Sequence, residues 1–290
     1  MHLLRRKTSR TTLSTSASRT NQPRILIRTL RTRSQTPEKS DSRQTRLEMV
    51  DLHSYTPDCL KAHNITPGYR ARMIDWMCEI TSAFGLSGKT FFVSVKVMDK
   101  YFQSQPVCIH SSLLHIIGMI SVFIASKFED IEALTLKAVF ERIGHCKFPK
   151  EDLLLTEQAI LKKLGFLVNF VTRCDMIEEL SAKLELNEDV KQYALFFSKL
   201  SMYFYEHLAF KESQITLAAI YMAGKVLKDK EVMVKIMQKV ADMKISVNFE
   251  GFYSDIAGFH KMFPSLKAIF KASRMNFDVV DGVIEIENLS

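Results

Sequence analysis

"HIIGMISVFIASKFED", residues 115–130, sets small residues among large apolar ones, then stops at Lys127 and closes on Phe128, Glu129 and Asp130. That mixture suits a helix packed closely on all sides. The apolar run 113–126 is too short to span a bilayer and carries His115, so a buried core helix is expected. A core helix ending in a cation, a ring and two acids either caps itself or presents a surface that something else reads.

The flanking sequence is helical as well. Thr66 is a good N-cap with Pro67 at the first helical position, and "YRARMIDWMCEITSAF" follows with Met73, Trp76, Met77, Ile80 and Phe84 at helical spacing. Ser87 and Gly88 break the chain before "KTFFVSVKVMDKYF"; "TLKAVFERIG" and "PKEDLLLTEQAILKKLGF" come after the core helix. Five helices with short polar joints predict a compact all-α unit. The theme returns 98 residues later, where "SQITLAAIYMAGKV" (213–226) aligns without gaps to 115–128 and matches Lys225 to Lys127. Two tandem five-helix units are therefore expected.

The net charge of +8 belongs to one end of the chain. Residues 1–48 hold 12 of the 40 basic residues and 3 of the 32 acidic ones, so the body is near neutral. A body without a basic face speaks against reading DNA. Sixteen of the first 48 residues are Ser or Thr and none is aromatic, which predicts a disordered tail. That tail reads either as regulatory or, with no acid before Glu38, as a mitochondrial transit peptide. The regulatory reading rests on "TPEK", where Thr36 precedes a proline and would carry roughly two negative charges once phosphorylated. "RTTL", Arg10 to Leu13, has the minimal RxxL form of a degradation signal. The expected boundaries are a basic tail 1–48, units 49–168 and 169–275, and an acidic tail 276–290.

Chemistry is thinly represented. "AFGLSGKT", 83–90, fits a relaxed phosphate-loop pattern, but an amphipathic helix precedes it where a strand is required. No HExxH, serine triad or zinc spacing is present, and the five cysteines lie apart without a CxxC pair. A binding module with reduced thiols is expected, with no catalytic residue, metal, cofactor, nucleic acid or membrane.

"RARMIDWMCEI", "TFFVSVKVMDKYF", "HIIGMISVFIASKFED" and "LLLTEQAILKKLGF", in this order and spacing, resemble the cyclin box of A- and B-type, mitotic-like cyclins. The likeness is good over about 65–170 and fainter to about 275. It implies an all-α fold of two tandem five-helix cyclin boxes and a non-catalytic subunit that binds and activates a cyclin-dependent protein kinase in cell-cycle control. It also implies a nuclear and cytoplasmic location. Lys127 and Glu157 would meet the kinase, with Phe128, Glu129 and Ile124 on the same surface and Leu161 and Phe166 close by. A second surface, a shallow groove for RxL-type substrates or inhibitors, would comprise Tyr69, Arg70, Met73, Trp76, Glu79, Leu114 and His115. Tyr69, Arg72 and His115 depart from the family's usual residues there. A ubiquitin ligase acting through the tail is a further implied partner. The leading segment "EMVDLHSYTPDCLKAHNITPGY" is shorter than the family's first helix and is interrupted by Pro57. Cyclin-like general transcription factors, which grip DNA and polymerase-bound proteins, share the architecture and are the alternative.

Overall fold

The computed structural model describes residues 58–266. Thr36, Arg10 and Leu13, and the acidic segment 276–290, lie outside the described residues. The described residues are helical and fall within one compact unit, Arg43–Ser290. The first half contains α1 (Pro67–Ala83), α2 (Gly88–Ser104), α3 (Leu114–Glu129) and α4 (Leu136–Ala138, continued by a wider turn over Val139–Ile143), then α5 (Lys150–Lys163). The second half holds α6 (Arg173–Lys183), α7 (Glu188–Ser201), α8 (Glu212–Val226), α9 (Lys230–Asp242) and α10 (Phe249–Leu266).

Local chemistry sets the helix starts. Thr66 accepts from the backbone N–H of Tyr69 ahead of Pro67, Thr172 and Asp175 form a reciprocal capping box, and Asn187 and Asp229 cap α7 and α9. In each half a strongly apolar helix lies at the centre. α3 packs on α1, α2 and α5, while α8 packs on α6, α7, α9 and α10. The apolar helical stretch is longer than the 113–126 run suggests. It extends over 19 residues, Ser111–Glu129, and would pass for a membrane span by length and composition, yet two-thirds of it is buried inside the fold. Its apolarity serves the core. Gly118 is required at the α1–α3 crossing, where a Cβ would sit 2.3 Å from the Met73 sulfur.

The halves are joined by buried charge. Arg70 on α1, 1% exposed, donates Nε and Nη2 to the two Asp99 carboxylate oxygens at 2.8 and 2.7 Å, and Nη1 to the Met202 carbonyl of the second half. Tyr203 donates its hydroxyl to Asp75 at 2.9 Å. Lys96 on α2 donates to the Val171 carbonyl and lies 3.6 Å from Glu212, which also takes the Arg173 guanidinium at 2.6 Å. The leading segment seals the same seam: the Leu60 N–H donates to the Tyr205 hydroxyl, and His63 bridges Phe102 and Ile109. Residues 58–63 form turns here, not a helix.

Burial works against charge on Glu212, but Arg173 and Lys96 outweigh it and hold its carboxyl down at about 2. Lys96 shares that one carboxylate with Arg173, so burial pushes its ammonium below the ordinary range. Burial also pushes the Cys59 and Cys174 thiols up to about 12, and all five cysteines are free.

Two measurements check the seam. Arg70→Met leaves Asp99 buried without its counter-charge and is expected to cost about 3–5 kcal/mol in urea unfolding, much of which Arg70→Met with Asp99→Leu recovers. Glu212 has a lower folded than free value, so its contribution is complete above about pH 4.5 and is lost as pH falls toward 2. Glu212→Gln should lower stability at neutral pH and flatten its pH dependence across that window.

Candidate functional site

α3 delivers Lys127 at its last turn, and α5 delivers Glu157. α5 is anchored by buried Leu153 and Ile160, seven residues apart, so the flank with Leu154, Gln158 and Leu161 turns outward or lies half-buried. Its first turn carries Glu151 and Asp152 and its last carries Lys162 and Lys163, which complements the helix dipole. The Lys127 ammonium donates to Glu157 Oε1 and also stands 3.9 Å from the centre of the Phe123 ring. The Lys127 side chain is 39% exposed and that of Glu157 13%, so water screens the pair in part and it contributes on the order of 1 kcal/mol to folding.

Several large apolar residues on the segments that carry this pair, or just beyond them, are open to water. Phe128 is 41% exposed and Phe166 is 66% exposed, with Ile131, Leu154 and Leu167 also open to water. Phe166 is in the left-handed backbone region at φ +60°, directly after Gly165 at φ +58°. A side chain in that conformation costs on the order of 1 kcal/mol. Here it is held by the Phe166 N–H donating to the Leu161 carbonyl, and the ring faces solvent.

The two acids of "KFED" have a different task. Glu129 Oε2 takes the Lys89 ammonium at 3.1 Å, and Lys89 also reaches Asp175 at 3.0 Å. Asp130 accepts from the Ser87 N–H at 2.7 Å and from the Thr90 hydroxyl at 2.6 Å. These bonds latch the end of α3 to the start of α2 and, through Asp175, to the second half. The expectation that Glu129 lies on the outward surface is therefore corrected: its carboxylate points inward to Lys89. Ile124 is corrected as well. It is 3% exposed and lies behind the surface, in the stripe that α3 buries. The same latches occupy "GLSGKT": Lys89 is bound to two carboxylates, Thr90 to a third, and helix α1 precedes the segment.

The second expected surface is only partly assembled. Tyr69 is exposed with the Arg72 guanidinium 4.9 Å from its ring centre. Trp76 and Glu79 are half-buried, and Trp76 meets His115 edge-on at 4.7 Å, with Phe148 5.8 Å beyond. Burial, with Lys147 and His145 nearby, pushes the His115 imidazole below its ordinary value. Met73 and Leu114 are buried and can only form a floor. Arg70 is not in the groove, because its guanidinium is committed to Asp99 and Met202. Among the described residues no His, Cys, Asp and Glu cluster could hold a metal ion.

Comparison with known proteins agrees with this architecture. The family model "Cyclin, N-terminal domain" matches residues 41–169. A putative cyclin-B3-1 of Arabidopsis thaliana is 28% identical over 165 residues, covering 57% of this chain and 41% of that protein. The G2/mitotic-specific cyclin-B of Spisula solidissima is 29% identical over 182 residues, 62% of this chain and 42% of its own. For the G2/mitotic-specific cyclin-B2 of Mesocricetus auratus the identity is 26% over 176 residues, 61% and 44%. The chain thus spans less than half the length of these relatives. The X-ray structure of a viral cyclin from Herpesvirus saimiri shares the fold, with a TM-score of 0.53 at 17% identity over 84% of this chain and 96% of that one. Residues 41–169 thus form a domain of the cyclin family, set in an all-helical body, and the relatives that match it are mitotic, B-type cyclins.

Proposed function

We propose that this chain is a non-catalytic regulatory subunit of a cyclin-dependent protein kinase, docking through Lys127, Glu157 and the exposed apolar residues on the same or adjoining segments. The observation that carries the reading is the partly exposed ion pair on α3 and α5, with exposed Phe128, Leu154 and Phe166 on the same or adjoining segments. It adds little to folding, and the Phe166 backbone costs energy to hold, so neither feature is explained by stability. Exposed apolar side chains on the segments that carry a fixed charge pair suit a mixed interface, where exclusion of water strengthens each bond.

The mechanism is a population shift. A protein kinase works only when one helix places a Glu against the catalytic Lys and the activation loop is open. A rigid helical body that binds this arrangement better than the idle one draws the kinase into it. To take an equilibrium from 1:99 to 99:1 requires about a 10⁴-fold preference, about 5.5 kcal/mol. The groove at Tyr69, Trp76 and His115 would serve RxL-type substrates or inhibitors, with Arg72 disfavouring a cationic neighbour. Phosphorylation at Thr36, ubiquitin-ligase recognition at Arg10 and Leu13, and nuclear and cytoplasmic residence complete the reading and rest on the family resemblance.

Lys127→Ala with Glu157→Ala is expected to keep the circular dichroism and melting temperature of the parent and lose stimulation of the kinase in a histone-phosphorylation assay. Full stimulation by the folded double variant would refute the assignment. Phe166→Gly is expected to leave the melting temperature unchanged or slightly raised, because it relieves a left-handed backbone, while weakening kinase binding. A clear drop in melting temperature would instead make Phe166 a packing residue.

A further inference from the structure

The internal repeat pairs Lys225 with Lys127, but among the described residues the second lysine has no counterpart to Glu157. In the first half Lys127 stands over an aromatic ring and takes Glu157 from the fifth helix. In the second half the Lys225 ammonium stands 3.6 Å from the ring centre of Tyr253, which also belongs to the fifth helix, and among the described residues it has no carboxylate partner. It opens onto a groove formed by Tyr221 and Met222 of α8, Met237 of α9, and Phe249 and Tyr253 of α10. The Tyr221 and Phe249 rings meet at 4.4 Å, Met237 is 49% exposed, and neighbouring Val234 is exposed too. The Tyr253 hydroxyl has no hydrogen-bond partner among the described residues. The groove thus offers largely apolar walls with Asn248 and Glu250 among its lining residues, one cation that no described carboxylate pairs, and one phenol without a partner among the described residues.

A segment of matching chemistry lies in the same chain. Residues 277–290, "FDVVDGVIEIENLS", contain Asp278, Asp281, Glu285 and Glu287, seven large apolar residues and no Lys or Arg. The reach is sufficient. α10 ends at Leu266, 13 residues past Tyr253, about 20 Å along the helix axis, and a ten-residue link such as 267–276 can span at most about 33 Å. We propose that residues 277–290 fold back onto the groove between α8, α9 and α10, covering its apolar walls and setting a carboxylate against Lys225. Lys225 then regains the acid that its counterpart receives from Glu157, supplied from outside the helical unit. A tail held in this way gives the second half an occupied surface, which a competing acidic, apolar partner would have to displace.

The test is zero-length carbodiimide coupling of the full chain, mapped by peptide mass. The expected product joins the Lys225 amine to Asp278, Asp281, Glu285 or Glu287, with a yield independent of protein concentration. Met237→Asp changes an exposed residue and should leave the fold intact. It should cut that yield roughly tenfold by placing a carboxylate among the apolar walls beside an acidic segment. Three results would overturn the proposal: coupling of Lys225 only to Glu250 on α10, a yield that rises with concentration and so reports a second copy, or no effect of Met237→Asp.

Discussion

Arg70 holds a full positive charge in the centre of the molecule with almost no water near it. Asp99 neutralises it through Nε and Nη2, and Nη1 donates to the Met202 carbonyl of the other helical half. A second group, Lys96 and Arg173 around Glu212, spans the same seam. Such charges are costly to bury and become tolerable only when each is fully paired. A relative slide of the halves would strand an ion, so the seam admits very few arrangements. It fixes register more than it adds stability, and it makes two helical clusters behave as one stiff body.

That stiffness gives the surface at Lys127 its significance. α3 ends where the latches of Glu129 and Asp130 clamp it to α2, and Lys89 carries the clamp on to Asp175 in the second half. The cation two residues before the clamp is thus presented on a helix that cannot fray. α5 brings Glu157 against it from a face anchored by Leu153 and Ile160. A partner that binds this pair meets a preformed site and pays little ordering entropy, which a body must offer if it is to shift another protein's conformation.

How much of this could be read from the sequence varies with the range of the interaction. The all-α class, the N-cap at Thr66 and the central position of α3 follow from local patterns. The Lys127–Glu157 pair is implied only by the resemblance of its two blocks to the cyclin box; spacing alone does not bring residues 30 positions apart together. Glu129 and Asp130 looked like surface acids since helix ends usually face water, and nothing nearby announced that Lys89 and Ser87, some 40 residues earlier, would claim them. Arg70 was assigned to the groove by its place beside Tyr69, although one residue along a helix is a turn of about 100° and its partners lie 29 and 132 residues away. A signal for the seam was present: Lys96 and Asp99 interrupt the apolar run "FFVSVKVMD", where a charge must be paired or costly. The exposed Leu154, Ile131 and Leu167 were missed because apolar residues at a helix end look like core until the chain is folded.

Amide hydrogen exchange of the full chain, with and without an added cyclin-dependent kinase, tests the central claim most directly. The account predicts slowed exchange over residues 124–130 and 154–167, where α3 ends and α5 faces outward, with the seam around Arg70 already slow in the free protein. Unchanged exchange across both segments in the presence of kinase, or slowing confined to other faces, would contradict it.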